Sequence, residues 1–247
     1  MRKIAVINYK GGTGKTTSVV NLAYALSMTG KKVLLIDTDP QGSSGYYLGI
    51  KSDKTLYDLI IENVAIQDCI QPARHNLDII CSNEHVFPAE LKMGRMNERE
   101  LVLSKKLQDL YGYDFVFLDC APSMNLLNQN ALLFANEVVL PVSMEYLSLI
   151  GVKQLLKNIK IINRIFSKKV KITTVIPTFY DKRHKKSKDI IGSLKRVFPN
   201  MVSSPVRVSI SLSEAPGKKM TIFEYDPHCE AAEDYYKIME EIVSYGK

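Results

Sequence analysis

Cysteine is scarce in this sequence, and long hydrophobic runs are missing. The 247 residues include four cysteines, with no CxxC pair and no Cys/His spacing typical of a metal site, so we expect buried, reduced thiols and neither disulfides nor zinc. No apolar run approaches the ~18 residues that suggest a membrane-spanning helix, and the first residues do not resemble a signal peptide. A cytoplasmic location without a stable membrane anchor is therefore predicted. The four cysteines are Cys69, Cys81, Cys120 and Cys229.

Positive charge is plentiful but unevenly distributed. The formal net charge is +7, yet residues 151–200 alone carry 14 lysines and arginines against two acids, Asp181 and Asp189. That stretch is therefore +12, and the remainder of the chain is about −5. Such an asymmetry indicates a polyanionic partner more strongly than uniform basicity would.

Short apolar segments alternate with longer helix-like segments along the chain. Most strand candidates are rich in β-branched or aromatic residues, and several are apolar throughout, as in strands buried on both faces of a parallel sheet. This alternation predicts a doubly wound α/β fold, with a mostly parallel sheet and helices on both faces. No linker or repeat interrupts it, so we expect a single domain, 1–247. The predicted strands are 3–8, 33–37, 77–81, 115–119, 138–142 and 172–176, and the predicted helices are 16–28, 88–110, 124–135, 146–166, 186–197 and 230–243.

The first predicted strand runs into a glycine-rich loop and then into an apolar-periodic helix, which is the context that a phosphate-binding P-loop needs. Residues 10–17 read KGGTGKTT. Glycines let backbone N–H groups curl around phosphate oxygens, and the helix N-terminus adds partial positive charge. Lys15 can reach the β- and γ-phosphates of ATP, and the Thr16 hydroxyl can ligate Mg²⁺. The predicted phosphate-binding residues are Gly11, Gly12, Thr13, Gly14, Lys15, Thr16 and Thr17.

The loop departs from the ordinary G-x-x-x-x-G-K-[ST] pattern. Tyr9 stands where the first glycine is expected, and a second lysine, Lys10, precedes a glycine pair. In this respect the segment resembles the deviant Walker A motif of the ParA/MinD family of positioning and partitioning ATPases, which have a P-loop NTPase fold. The resemblance implies that Lys10 reaches across a symmetric dimer to the partner's phosphates, whereas Lys15 serves the nucleotide of its own subunit. Both lysines are therefore expected to be catalytic.

Two further segments support this resemblance, and in each a strand ends in a carboxylate. Residues 33–43 read VLLIDTDPQGS and resemble the family's switch I, while residues 115–123 read FVFLDCAPS and resemble its Walker B and switch II segment. Acids at the carboxyl ends of parallel strands lie where ligands bind in such sheets. The resemblance implies that Asp39 orients the attacking water, that Asp37 lies near the magnesium's water shell, and that Asp119 holds Mg²⁺ through water.

The resemblance continues towards the C-terminus. Residues 139–146 match a family strand and loop near the dimer face, in which Glu145 approaches the nucleotide, and residues 212–216 read LSEAP, which matches another family segment. Contacts to the base are expected around Pro177 and in the segment from Pro205 to Arg207, and the spacing from this second group to residues 212–216 is one residue longer than in the family. The residues implied are Pro177, Pro205 and Arg207.

A basic segment follows the last predicted strand. Residues 182–196 include seven lysines and arginines against one acid, and such a segment can neutralise phosphates without reading bases. In the ParA branch of the family this region holds DNA non-specifically in the ATP-bound dimer. The alternative is a solvated, charged helix face without a partner. The predicted DNA-contacting residues are Lys182, Arg183, Lys185, Lys186, Lys188, Lys195 and Arg196.

The resemblance spans nearly the whole chain, strongly over residues 1–45 and loosely over 50–110 and 180–205. It implies a slow ATPase in which Mg-ATP joins two protomers and the homodimer binds double-stranded DNA. Hydrolysis, stimulated by a ParB-like or other cargo adaptor, would release the DNA, so that a nucleoid-associated protein segregates DNA or positions a cargo. A membrane-associated, MinD-like ATPase is the alternative, but the acidic segment 229–247 would be repelled by anionic lipid.

Two other classes of P-loop protein are alternatives to this interpretation. An iron–sulfur reductase with a similar loop needs paired cysteines to bridge a cluster between subunits, and no second cysteine accompanies Cys120 in a suitable context. A metabolic or kinase-like enzyme needs a pocket for a small-molecule acceptor, which no segment of the sequence indicates.

Overall fold

A single sheet organises the described part of the chain. The computed structural model describes residues 1–245; residues 246 and 247, which the predicted domain 1–247 and the acidic segment 229–247 include, lie outside the described residues. The strands are β1 (Arg2–Val6), β2 (Val33–Asp37), β3 (Ile70–Arg74), β4 (Leu77–Ile80), β5 (Phe115–Asp119), β6 (Glu137–Ser143) and β7 (Lys171–Thr178). Their order across the sheet is β3-β4-β2-β5-β1-β6-β7. Neighbouring strands are parallel, except that β3 is antiparallel to β4.

Helices connect these strands. The α-helices of residues 1–245 are α1 (Lys15–Met28), α2 (Ser43–Leu48), α3 (Leu56–Ile60), α4 (Ile66–Cys69), α5 (Val86–Met93), α6 (Val102–Lys106), α7 (Leu126–Phe134), α8 (Ser148–Ile165), α9 (Lys185–Val197), α10 (Ile210–Glu214), α11 (Ile222–Tyr225) and α12 (Glu230–Tyr245). Short 3₁₀ turns span Arg99–Leu101 and Ala215–Lys218. Within the described residues, no helix combines the length and the hydropathy that crossing a membrane requires.

The central strands are buried on both faces of the sheet, as expected for parallel strands between helix layers. β2 reads VLLID and β5 reads FVFLD, and every residue of both strands is buried. Alternate strand residues belong to two hydrophobic clusters, one shared with α7, α8 and α9 and the other with α1, α11 and α12. Because successive side chains of a strand point to opposite faces, helices cover both faces. The predicted doubly wound α/β architecture is confirmed.

The sequence-based prediction omits the short helices α2, α3, α4, α10 and α11, and two further local features differ from it. The sequence does not predict β3, which reads IQPAR and lies at the edge of the sheet; an edge strand tolerates the proline because one side of its backbone needs no partner. The single helix predicted over 88–110 is wrong. α5 ends at Met93 and α6 begins at Val102, and between them Glu98 has a φ of 51°, which interrupts the helical path.

The carboxyl ends of β1, β2 and β5 meet at one edge of the sheet. β5 lies between the other two, so that Asp119 is in register with Val6 on one side and with Asp37 on the other. The glycine-rich loop follows β1, and α1 begins within its GKTT segment at Lys15. Ligands bind outside the carboxyl ends of the strands in doubly wound sheets, so the topology brings the predicted phosphate and metal residues to one place.

Candidate nucleotide and magnesium site

Two glycines with positive φ give the loop its curled form. Gly12 and Gly14 have φ values of 69° and 81°, a region in which an L side chain is strained. Gly14 precedes α1 directly, so the free N–H groups of the first helical turn face the loop. The Thr13 carbonyl accepts a hydrogen bond from the Thr178 hydroxyl at 2.9 Å, which ties the loop to the end of β7. The predicted residues from Gly11 to Thr17 therefore form one turn with the geometry that suits an anion.

Lys15 is the enclosed lysine of the loop, with only 7% of its surface exposed. Its ammonium donates a hydrogen bond to the Lys10 carbonyl at 3.3 Å. Burial lowers the pKa of Lys15, while the negative charges of Asp119 and Asp39 oppose that shift. A buried cation that is bonded to the backbone of the glycine-rich loop is well placed for the phosphates of a bound nucleotide.

Lys10 lies at the rim of the site and contacts the beginning of α8. Its ammonium forms an ion pair with Glu145 and donates a hydrogen bond to Ser148 Oγ at 3.2 Å. The hydrogen bond from Lys10 holds the pKa of Glu145 below its ordinary value. Both side chains remain accessible, with exposed fractions of 26% for Lys10 and 59% for Glu145. The structure thus brings these two predicted residues together in one subunit, at a surface that a second copy can reach.

Two buried carboxylates lie next to each other at the ends of β2 and β5. Asp119 Oδ2 accepts hydrogen bonds from Thr16 Oγ1 at 2.7 Å and from Ser44 Oγ at 2.8 Å. Asp37 accepts hydrogen bonds from the backbone N–H groups of Asp39 at 3.0 Å and Ser44 at 2.9 Å. Burial raises the pKa of both carboxyls, and the charge of Asp119 raises that of Asp37 further. The pair therefore favours a positive charge between or beside it.

This cluster fits a magnesium ion. Mg²⁺ takes oxygen ligands and is commonly bound through one or two carboxylates, with retained waters and substrate phosphates. Thr16, Asp37 and Asp119 supply such oxygens. Asp119 Oδ1 is buried and has no hydrogen-bond partner among residues 1–245, which leaves an acceptor for a cation or its water. Ser44, which the sequence analysis did not single out, belongs to the same cluster, and its only signal is its place just after the PQGS turn.

Asp39 lies at the entrance to the site. It is half-buried, and its carboxylate accepts a hydrogen bond from the Gln41 N–H at 3.0 Å. Its charge also acts on Lys15 and on the buried Asp37. A carboxylate that acts on the enclosed lysine and is still open to water has the properties that orienting an attacking water requires.

A cavity of about 450 Å³ opens beside Gly14 and Thr17. Its wall includes residues 206–208, the end of a segment that pairs along the outer edge of β7; the Val206 N–H, for example, donates to the Pro177 carbonyl at 2.8 Å. The cavity is of the size that binds a small organic group, and its place next to the loop suits a nucleotide base. Its other lining residues are Thr178, Phe179, Val206, Arg207, Val208, Ser209, Ile210, Leu212, Ser213, Pro216 and Tyr235.

Of the three predicted base contacts, Arg207 lines this cavity, whereas Pro177 and Pro205 do not. Pro177 is buried within β7, so its neighbours present their side chains to the cavity instead. The Arg207 guanidinium is held by α12, because Nη2 lies 2.7 Å from the buried Asp234 carboxylate and Nη1 lies 2.8 Å from Glu230. The remaining lining residues come from separated segments, and no local sequence pattern marks them.

The seven predicted DNA-contacting residues are all exposed. α9 buries Ser187, Ile190 and Leu194, so its lysines and arginine stand on the outer side. Arg183 pairs with Asp181 at 2.7 Å and keeps 82% of its side chain accessible. A second cavity, of about 440 Å³, joins Gly12 of the loop to the start of α9. The basic segment therefore borders the nucleotide site. α8 packs in the same hydrophobic cluster as α9 and exposes further basic residues, Lys153, Lys157, Lys160 and Arg164.

Comparisons with known proteins agree with this geometry. A family model described as an AAA domain (AAA_31) matches residues 1–172. The chain is 34% identical over 249 residues to the sporulation initiation inhibitor protein Soj of Bacillus subtilis (strain 168), and the match covers 98% of each protein. It is 35% identical over 246 residues to the chromosome-partitioning ATPase Soj of Treponema pallidum (strain Nichols), covering 98% of this chain and 97% of that protein.

A solved structure adds the cofactors. The cobyrinic acid a,c-diamide synthase of Mycobacterium smegmatis, crystallised with a bound ATP analogue and magnesium, is similar to this chain with a TM-score of 0.84 and 27% sequence identity. The similarity covers 100% of this chain and 96% of that one. The two cofactors in that structure are those that the sequence predicts here.

Proposed function

The chain belongs to the ParA/Soj family of P-loop ATPases, and from that premise we propose that it is an ATP-dependent partitioning or positioning ATPase. ATP and Mg²⁺ are its cofactors. In the proposed cycle two protomers close around Mg-ATP, the homodimer binds DNA without sequence preference, and hydrolysis releases it. The observation that carries this proposal is the division between the two lysines of one loop, since Lys15 is enclosed and Lys10 lies at an accessible rim.

The surface around Lys10 supports a symmetric contact. Next to the Lys10–Glu145 pair, three large apolar side chains are exposed, with exposed fractions of 59% for Tyr146, 68% for Leu147 and 53% for Ile150. Exposed apolar groups of this kind are typical of interaction surfaces. In an isologous dimer, each surface contacts the same surface of the other copy, so a lysine at this rim is delivered to the partner's phosphates while the reciprocal lysine arrives from the other side.

Hydrolysis would use the residues at the ends of β2 and β5. Thr16, Asp37 and Asp119 would hold Mg²⁺, which when bound neutralises charge on the phosphate oxygens. Lys15 would bind the β- and γ-phosphates from its own subunit. The Asp39 carboxylate would accept a hydrogen bond from the attacking water and align it with the γ-phosphate. Loss of that phosphate would release the switch segment that contains Asp39, and with it the dimer.

The basic segment supplies the proposed DNA surface. Seven exposed lysines and arginines lie between 182 and 196, and the exposed basic residues of α8 lie on the same face of the sheet. Joining two such surfaces in one dimer doubles the number of phosphate contacts, which increases affinity steeply. Binding of this kind depends on charge and not on base sequence. It would therefore associate the protein with the nucleoid, within the cytoplasm.

The adaptor and the cargo extend the proposal beyond the chain itself. The relative named a chromosome-partitioning ATPase favours DNA as the cargo, and the proposed activator is a ParB-like or other cargo adaptor. Phosphate release by the protein alone is expected to be slow and to increase when the adaptor is added.

The experiment that tests the proposal follows oligomeric state and DNA binding in parallel. Size-exclusion chromatography and binding to a random-sequence duplex would be measured with ATP, with a non-hydrolysable analogue and with ADP. We expect a dimer that binds the duplex with ATP and with the analogue, and a monomer that binds weakly with ADP. The same elution volume and the same affinity in all three states would contradict the nucleotide switch.

A membrane-associated positioning ATPase is the principal alternative, and the packing of α12 supports DNA over it. The apolar side of α12, including Tyr235, Ile238 and Ile242, is buried in the hydrophobic cluster shared with α1. An interfacial helix needs such a face free for lipid. Binding to vesicles of anionic lipid would be measured beside DNA binding. Lipid binding that requires ATP and is stronger than DNA binding would favour the membrane alternative.

The similarity to a diamide synthase raises a small-molecule enzyme as a second candidate. Such an enzyme transfers the group that ATP activates to an organic acceptor. The proposed ATPase instead transfers the phosphoryl group of ATP to water. Phosphate release without any added acceptor, stimulated by DNA or adaptor, distinguishes the two. The iron–sulfur alternative gains no support, because the Cys120 thiol is buried and its pKa is raised by that burial.

A further inference from the structure

Asn8 is a fully buried amide between β1 and the phosphate-binding loop, and both of its ends are bonded. Its Nδ2 donates a hydrogen bond to the Pro141 carbonyl in β6 at 2.8 Å. Its Oδ1 accepts a hydrogen bond from the backbone N–H of Lys10 at 3.0 Å. A buried side-chain amide with both groups satisfied is fixed in orientation, so the backbone of Lys10 is tied to the neighbouring strand.

Gly151 brings α8 into direct contact with this amide. A Cβ atom at Gly151 would lie 2.7 Å from Asn8 Oδ1, closer than such atoms approach, but at ordinary distances of 3.5 Å from the Lys10 nitrogen and 3.6 Å from its Cβ. The same helix carries Ser148, whose hydroxyl is 3.2 Å from the Lys10 ammonium and 2.6 Å from the Ser143 hydroxyl in β6. The backbone of Lys10 is therefore held by Asn8, and its ammonium is held by Ser148 of α8. Asn8 and α8 meet at Gly151.

We propose that the Asn8–Gly151 contact is a joint that positions Lys10 for its action on the partner's nucleotide. This inference rests on the proposed function of Lys10. Asn8 and Gly151 are positioning residues, because they contact Lys10 and each other. The glycine lets α8 approach until Ser148 and Glu145 reach the ammonium, and the amide fixes the backbone from which the side chain extends. A side chain at Gly151 would shift either the amide or the helix, and the direction of Lys10 with it.

The variant Gly151→Ala tests the joint, and Gly192→Ala is the matched control. Gly192 also lies within a helix, but a Cβ atom there would meet no atom within 4 Å. For Gly151→Ala we expect kcat of ATP hydrolysis to fall about tenfold or more, since misplacement of a reacting group by about 1 Å is costly, and ATP-dependent dimerisation to weaken. The Kd of the monomer for a fluorescent ATP analogue should stay unchanged, because Lys15 and the glycine turn bind it. The proposal would be overturned if Gly151→Ala lowered kcat and ATP affinity equally, or if it lowered neither.

A double-mutant cycle tests whether the Gly151→Ala substitution affects Lys10 through the side-chain amide of Asn8. Asn8→Ala removes both the hydrogen bond to Lys10 and the atom that the added methyl group would strike. If the joint exists, Asn8→Ala/Gly151→Ala should lose no more activity than the worse single variant, because contacting residues are non-additive. Losses that multiply would mean that the two residues act independently. Should Gly151→Ala fail to fold by circular dichroism, Asn8→Ala and Ser148→Ala take its place with the same expected separation of kcat from ATP affinity.

Lys10→Ala, assayed beside these variants, separates this inference from the function on which it rests. If Lys10→Ala abolishes ATP-dependent dimerisation and turnover while Gly151→Ala and Asn8→Ala behave as wild type, the joint is refuted and the function of Lys10 stands. If Lys10→Ala itself has no effect, the proposed function of Lys10 fails, and the joint fails with it.

Discussion

Replacing Asp119 with asparagine should stabilise the nucleotide-free protein while removing its response to magnesium. Both hydrogen bonds to the side chain, from Thr16 and Ser44, end on one oxygen, Oδ2. An asparagine oxygen at that position keeps both, and the amide nitrogen takes the place of Oδ1, which has no partner among residues 1–245. What disappears is a buried negative charge that raises the pKa of Asp37.

The magnitude follows from the linkage between proton binding and folding. Each unit by which burial raises a carboxyl pKa costs the folded state about 1.4 kcal/mol once the group is ionised, so we expect Asp119→Asn to raise the free energy of unfolding by about 1–2 kcal/mol at pH 8. The raised pKa means that the folded protein keeps a proton that the unfolded chain has released. Unfolding free energy therefore falls as pH rises from the ordinary carboxyl value through the raised one, and the advantage of the variant should vanish near pH 4.

Urea unfolding between pH 4 and 8, without nucleotide, measures this difference. Asp68→Asn is the control, because Asp68 is exposed and should change little. Thermal unfolding with and without Mg-ATP tests the predicted loss of the response to magnesium. The wild-type Tm should rise when Mg-ATP is added, and the Tm of Asp119→Asn should rise much less. A variant that is less stable than wild type at pH 8, or one that keeps the full Mg-ATP response, would refute the assignment of Asp119 to a strained, cation-binding carboxylate pair.

Three further predictions concern other parts of the site. Arg183→Ala/Lys185→Ala should weaken duplex binding and reduce the slope of log affinity against log salt by about 2, since each lost phosphate contact contributes about 0.9. Asp39→Ala should slow phosphate release by about a hundredfold or more, yet retain ATP-dependent dimers in sedimentation experiments. Arg207→Ala should lower the free energy of unfolding by about 2 kcal/mol in urea titrations, because it leaves the buried Asp234 carboxylate without its cation.

Each of these has a control or a contradicting result. Lys31→Ala/Lys32→Ala removes two exposed lysines at the opposite end of the sheet, before β2, and should leave the salt slope unchanged; an equal effect of both pairs would indicate net charge alone. Normal turnover by Asp39→Ala would remove that residue from hydrolysis. For Arg207, a double variant with Asp234→Asn should recover part of the lost stability, and no recovery would contradict the ion-pair explanation.

The parts of the site that local sequence determines were predictable. A strand buried on both faces needs a continuous apolar run, and a P-loop needs its glycines at fixed offsets, so β2, β5 and the loop from Gly11 to Thr17 could be located without coordinates. The register that places Asp37 beside Asp119 follows once parallel strands of similar burial are assumed. The side chains of the predicted magnesium site, Thr16, Asp37 and Asp119, could therefore be located from the sequence, whereas their neighbour Ser44 could not.

Features of the site that depend on tertiary contacts could not be predicted from the sequence. The cavity beside Gly14 and Thr17 is assembled from the end of β7, residues 206–208 and the residues that follow them, and Phe179, which lines it, lies in no motif. Arg207 was located by family spacing, but its ion pair with Asp234 on α12 joins residues 27 positions apart. The contact of Gly151 with Asn8 likewise joins two segments, and a glycine inside a helix gives no signal of what it approaches. Such features follow from packing, which short-range patterns do not encode.

Mixing two inactive variants tests most directly whether Lys10 acts across the dimer. In a mixed dimer of Lys10→Ala and Asp39→Ala, the site on the Lys10→Ala protomer keeps its own Asp39 and receives Lys10 from the other chain. Turnover should therefore reappear on mixing, at up to about one quarter of the wild-type rate, because random pairing makes about half of the dimers mixed and each of these has one complete site of two. If Lys10 served its own subunit, no site in any dimer would be complete, and a mixture as inactive as its components would contradict the account.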